Sequence, residues 1–166
     1  MTPASTSSPW NRDSRRAALA IIPLAAASVL GQLATYPNLA WYANLTKPSF
    51  NPSDWVFAPV WTTLYLLMAF ALWRVLRLPD NSTPRQLALS LFFVQLALNA
   101  AWSWIFFAGH NPLLGVIDIV PQFLVILGTV VAFRRLDQTA AWCLLPLAAW
   151  VAFAGVLNIA IWLLNG

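Results

Sequence analysis

Three tryptophans lie a few residues inside long apolar stretches, each on a stripe that recurs at helical spacing. Trp61 is followed by Tyr65, Met68 and Leu72; Gln95 and Asn99 lead to Trp102 and Phe106; Trp150 is followed by Ala154, Leu157 and Ile161. Residues three and four apart share one face of a helix. Three such faces turned towards a common space would give apolar, aromatic walls with a few polar groups, the setting for a large, flat, hydrophobic ligand. Interlocked instead, the same residues would be a packed core. Spacing leaves both readings open.

The polar groups inside the apolar stretches are Gln32, Gln95, Asn99, Asp118, Gln122 and Asn158. In a bilayer each is costly unless it pairs or faces a cavity. Asn99 and Asn158 are expected to hydrogen-bond between helices. Asp118 and Gln122, four apart, share a face, and a hydrogen-bonded structural role is expected for Asp118. Acid–base chemistry is poorly supplied. The chain has no glutamate, and no second carboxylate approaches Asp118 within a span, so a general acid–base pair is hard to build. The single histidine, His110, and single cysteine, Cys143, offer no metal-ligand spacing and no Ser-His-Asp set. His110 is expected as a surface or capping residue, and Cys143, without an intrachain disulfide partner, as a small hydrophobe. No catalytic residue and no metal site are expected.

These residues must be positioned by membrane helices. The 166 residues are 60% hydrophobic and 8% charged, against roughly a quarter charged in a soluble domain. Five segments of about 20 apolar residues can cross a bilayer, near 17–36, 55–76, 86–108, 113–133 and 141–164. The expected fold class is all-α, an integral membrane bundle of five transmembrane helices in one domain (17–166). The polar start, 1–16, is expected to be disordered. Its basic start and apolar run have features of a secretory signal, faintly of a twin-arginine one, but the run continues to Tyr36, long enough to span.

The net charge of +4 is explained by orientation. Arg12, Arg15, Arg16, Arg74, Arg77, Arg85, Arg134 and Arg135 fall on one side and Lys47 alone on the other. That pattern places the N-terminus on the positive, cytoplasm-like side and the C-terminus opposite. Basic residues interleaved with exposed aromatics on a soluble face are missing, which argues against a nucleic-acid partner. Trp55, Trp73, Trp142 and Trp162, near helix ends, suit an interfacial belt.

The connection from Pro37 to Asp54 is much the longest. It contains Trp41, Tyr42, Leu45 and Phe50, which argue for a packed lid over the bundle, with Pro48 and Pro52 holding irregular geometry. Lys47 in this loop could meet a ligand carboxylate or simply lie exposed. Pro59 and Pro146 are expected in first helical turns, Pro23 and Pro121 deeper. Ala27, Gly31 and Ala34 form a small-residue face suited to close helix approach.

Three motifs in this order, "WYANLTKPSFNPSDWVFAPVWTTLYLLM" (Trp41 to Met68), "QLALNAAWSWIFF" (Gln95 to Phe107) and "LLPLAAWVAFAGVLN" (Leu144 to Asn158), resemble the translocator protein family, also called tryptophan-rich sensory proteins or peripheral benzodiazepine receptors. The resemblance covers residues 17–164. It implies a five-helix bundle, usually a homodimer among membrane lipids, with a cavity below the first loop. The implied ligands are tetrapyrroles such as protoporphyrin IX and haem, synthetic isoquinoline carboxamides and benzodiazepines, and in some members cholesterol. Porphyrin or haem would be a ligand, and no cofactor is obligatory.

Matched by motif, Trp61 and Trp150 correspond to the family's pocket tryptophans, with Phe57, Ala58 and Val60 above them. Asn99 falls in the family's "LN", Ala154 and Leu157 on a wall, and Asp118 at a recurrent intramembrane acid. Departures are Leu114 where some relatives carry a pocket tryptophan, Ser53 in place of a proline, and Leu147 in place of a tyrosine. The ending "IAIWLLNG" lacks the tyrosine and basic residue of the animal cholesterol motif, which argues against high-affinity cholesterol recognition. The expectation is a receptor or transporter-like membrane protein for flat hydrophobic ligands, with a sensory or regulatory role. Two alternatives use the same residues: light-dependent porphyrin degradation, and a membrane scaffold. Inner and outer membranes both fit.

Overall fold

The structure is a computed structural model and describes residues 9–79 and 83–166. The spans are α1 (Pro9–Thr35), α3 (Asp54–Leu76), α4 (Thr83–Ser103, continued by a π-helical turn Trp104–Ala108), α5 (Pro112–Arg134) and α6 (Gln138–Asn165). A 3₁₀ turn (Tyr36–Asn38) leads into a short helix, α2 (Leu39–Ala43), in the first connection. All five spans are long and apolar enough to cross a membrane.

Local chemistry explains where the helices start. Asn111 caps α5 by accepting the N–H of Leu114 at 2.9 Å, with Pro112 in the first position, where its missing N–H costs nothing. Asp137 caps α6 through Ala140 N–H at 2.9 Å, and Asp54 sits in the first turn of α3, favourable to the helix dipole. Every span starts earlier than expected. The first helix begins at Pro9 instead of near 17, so residues 9–16 are helical and the expected disordered segment does not extend over them; residues 1–8 lie outside the described residues. Because α3 begins at Asp54 and α6 at Gln138, Pro59 and Pro146 stand inside their helices, past the first turn.

The helices pack as a ring in the order α1, α3, α6, α5, α4 and back to α1. Lipid offers no hydrophobic drive for this, so close packing and hydrogen bonds must hold it. The small face of α1 serves that end within the chain: Ala27 and Ala34 are buried, and a Cβ on Gly31 would lie 3.3 Å from Ser103 Oγ of α4. Between α5 and its neighbours the approach is closer still. A Cβ at Gly115 would come within 2.7 Å of Asn158 Oδ1 and 3.0 Å of a Phe106 ring carbon, so only glycine fits there. The core half away from the long loop is filled by Met68, Leu72, Val75, Phe92, Ile126, Phe133, Leu144 and Leu147, with Phe92 stacked on Phe133 at 5.7 Å. Leucines, isoleucines and valines lie exposed on the outer faces, as a lipid environment requires.

The end opposite the long loop is held by charge. Arg74 of α3 meets Asp137 with its Nη2 at 2.8 Å and Nε at 2.9 Å. Arg85 is buried and donates to Val75 O and Leu76 O, satisfying carbonyls at the end of α3. Arg77 lies 3.7 Å from Asp13 and over the ring of Trp73.

Candidate functional site

Helix α2 and the loop after it fold down as a plug. Trp41, Tyr42 and Leu45 pack on the buried Phe106, Leu157 and Ile161, with Phe57, Phe107, Phe153 and Trp102 around them. Trp41 meets Phe106 edge-on at 5.5 Å, and Trp102 stacks on Phe106 at 4.8 Å. Two corners are pinned by polar contacts. His110, with φ of 50°, stacks on Trp41 at 4.6 Å and its Nε2 lies 2.9 Å from Asn38 Oδ1; it is exposed, the surface placement expected of it. At the other corner Asn165, in the last turn of α6, accepts from Thr46 N–H at 2.8 Å and donates to Thr46 O at 2.9 Å. Tyr42 O–H donates to Asn51 Oδ1 at 3.0 Å, which holds the irregular stretch before α3 against the plug.

Lys47 does not reach towards the bundle. Its ammonium donates to Ala43 O and Leu45 O and lies over the Tyr42 ring, so it satisfies the last carbonyl of α2 and one in the loop after it.

Below the plug, α3 and α6 part to leave a cleft of about 560 Å³. Its walls are Pro59, Val60, Thr63 and Leu64 on α3 and Pro146, Ala149, Trp150 and Phe153 on α6. Pro59 and Pro146, displaced from the expected first turns, thus both shape it. The Thr63 hydroxyl is spent on Pro59 O at 2.9 Å, so the lining side chains offer aromatic and aliphatic surface almost alone. The cleft is a groove open to the outside of the bundle.

The nine residues singled out from the sequence divide. Val60 and Trp150 line the cleft, and Phe57 meets Trp150 edge-on at 5.8 Å. Trp61 turns into the ring, packing against Tyr65 at 5.9 Å, and Tyr65 O–H donates to Asn99 Oδ1 at 3.1 Å. Ala154 packs on the main core and Leu157 beneath the plug. Ala58 and Leu114 are exposed. The stripes that looked equivalent therefore have different fates: one tryptophan walls a cleft, another fills the bundle. Phe153, Pro59 and Pro146 were not singled out for the site, since nothing in their spacing marks them.

The interior polar groups are mostly paired. Trp102 Nε1–H donates to Asn158 Oδ1 at 3.1 Å, and Asn158 donates to Pro112 O at 2.9 Å, the interhelical role expected of it. Gln95 donates to the weak acceptor Met68 Sδ at 3.8 Å, but its Oε1 is buried without a partner. Asp118, expected to be hydrogen-bonded, leaves Oδ2 buried and unpaired. Among the described residues no cluster of His, Cys, Asp or Glu could hold a metal ion.

Several known proteins are similar to this chain in sequence. The tryptophan-rich protein TspO of Chlorobaculum tepidum is 42% identical over 129 residues, 78% of this chain and 82% of that one. The translocator protein of Sus scrofa is 37% identical over 140 residues, covering 84% and 80%. The tryptophan-rich sensory protein of Cereibacter sphaeroides is 36% identical over 118 residues, covering 71% and 72%. With the family model matching residues 19–163 as well, this integral, multi-pass membrane protein belongs to the TspO/MBR family.

Proposed function

We propose that the protein is a membrane receptor for flat hydrophobic molecules, tetrapyrroles foremost, with a sensory or regulatory role. The observation that carries this is the cleft itself: about 560 Å³, walled by Trp150 and Phe153 facing Val60 and Pro59, with its one hydroxyl already engaged. Aromatic rings offer stacking surface to a planar macrocycle at little conformational cost. Relatives named as sensory and translocator proteins support a receptor-like role. In this reading the N-terminus lies on the positive side of the membrane, supported by eight arginines there against Lys47 on the other.

The test is a titration of the protein in lipid nanodiscs with protoporphyrin IX in the dark, read by tryptophan quenching. Saturable quenching that weakens in Trp150→Leu, and less in Trp61→Phe, is the expected result, because only Trp150 borders the cleft. Absence of saturable quenching in folded wild type would refute the assignment. Illuminating the same samples separates receptor from photochemical degradation, since reversible binding leaves the porphyrin absorbance intact.

A further inference from the structure

The cleft opens to lipid, and the loop above it is shut. Pro59 and Thr63 on α3 and Pro146 and Ala149 on α6 are all exposed on the outer surface of the bundle. At 1.5 Å per residue the α3 wall runs from about 7 to 15 Å along the helix from its start, and Pro146 lies about 12 Å from the opposite end of α6. The opening therefore sits at the depth of the acyl chains. From the loop side, the way down is closed by the ring contacts of Trp41 and Tyr42 with Phe106, by Phe50 against Phe153 at 6.4 Å, and by the paired hydrogen bonds of Thr46 with Asn165.

The chemistry of the walls points the same way. No charged side chain lines the cleft, and Lys47, the cation of the loop above it, is engaged with Ala43 O and Leu45 O. An ionised carboxylate brought into such a space would lose its hydration with no countercharge to replace it. A molecule already dissolved in the bilayer has no such loss.

Resting on the reading above, we propose that the cleft is loaded sideways from the bilayer, between α3 and α6, by flat molecules in uncharged form, while the loop stays closed. The loop is then a fixed roof, and the passage lies between the Pro59–Thr63 and Pro146–Ala149 edges.

The experiment cross-links the roof. Thr46→Cys and Asn165→Cys are introduced in a Cys143→Ser background, the two thiols are bridged with a short bifunctional reagent, and the protein is placed in nanodiscs. Loading is followed with protoporphyrin IX dimethyl ester and with the free acid. The bridged protein should load the ester at the rate of the same variant left unbridged, and the ester should bind more tightly than the acid. Loading that stops on bridging, or an acid that binds more tightly than its ester, would overturn the proposal. As a second arm, Ala149→Trp narrows the lateral opening with the roof unmodified; loss of loading with an unchanged melting temperature is expected, and wild-type loading would also overturn it. If neither wild type nor the unbridged variant binds any porphyrin, the receptor reading itself has failed, a result distinct from loss on bridging alone.

Discussion

At the loop end of the bundle, Trp41 and Tyr42 close over Phe106 through ring contacts, and Asn165 holds Thr46 through neutral hydrogen bonds. At the arginine end, Arg74 grips Asp137 at 2.8 Å, Arg85 donates into the last carbonyls of α3, and Arg77 approaches Asp13 at 3.7 Å. Among the described residues no ion pair takes part in the first closure. Ring contacts act only at close range and depend on shape, so the loop end can hold one precise arrangement over the cleft. Charges tolerate looser geometry and respond to acid and salt. The molecule thus separates a shape-determined end, next to the cleft, from a charge-determined end that ties α3 to α6.

The largest effect should come from emptying the plug. Phe106 is 1% exposed and touches Trp41, Tyr42, Trp102 and Phe107. Phe106→Ala should cost about 3–5 kcal/mol, the range for deleting a fully buried aromatic ring, read as thermal unfolding in detergent. A cost below about 1 kcal/mol would mean the plug collapses to refill the space, and the contrast in precision between the ends would dissolve.

A smaller, pH-dependent effect belongs to the arginine end. Burial pushes the Asp137 carboxyl up, but the Arg74 hydrogen bond, the Ala140 and Thr139 N–H groups and the Arg74 charge outweigh it, holding the group below the usual carboxylate range. A carboxylate with a lowered folded pKa adds stability that is complete above its unfolded value, near 3.9, and disappears as pH falls through the folded one. Asp137→Ala should therefore cost about 1–2 kcal/mol at neutral pH, from the lost cap and a partly exposed ion pair. The gap between wild type and variant should shrink below about pH 4. Asp137→Asn, which keeps a cap acceptor, should recover part of the loss. A gap independent of pH would show that the charge contributes nothing.

Smallest is the roof latch. Asn165→Ala removes two hydrogen bonds to Thr46 that are exposed to water and should cost about 1 kcal/mol or less. Amide exchange across residues 44–51 is the sharper reading: protection should fall there while α6 is unaffected, and the difference should not vary with pH. An exchange pattern identical to wild type would mean that the ring contacts alone hold the roof.

The sequence by itself determined the five spans, the asymmetric arginines, the aromatic character of the long loop and the motifs that mark the family. These are properties of short stretches of chain: length of an apolar run, sign of the flanking charge, identity of neighbouring residues. It also marked Asn99 and Asn158 as interhelical, since a lone amide in lipid must find a partner. Only the tertiary structure decided which stripe walls a cleft. A membrane helix is apolar on every side, so its pattern does not say which face meets a neighbour, which meets lipid and which borders a gap. That is why Trp61 and Trp150, alike in spacing, end against Tyr65 in the ring and along the opening between α3 and α6. For the same reason Lys47 turned to its own loop's carbonyls, and Asp118 kept an unpaired oxygen that its neighbours along the chain gave no sign of.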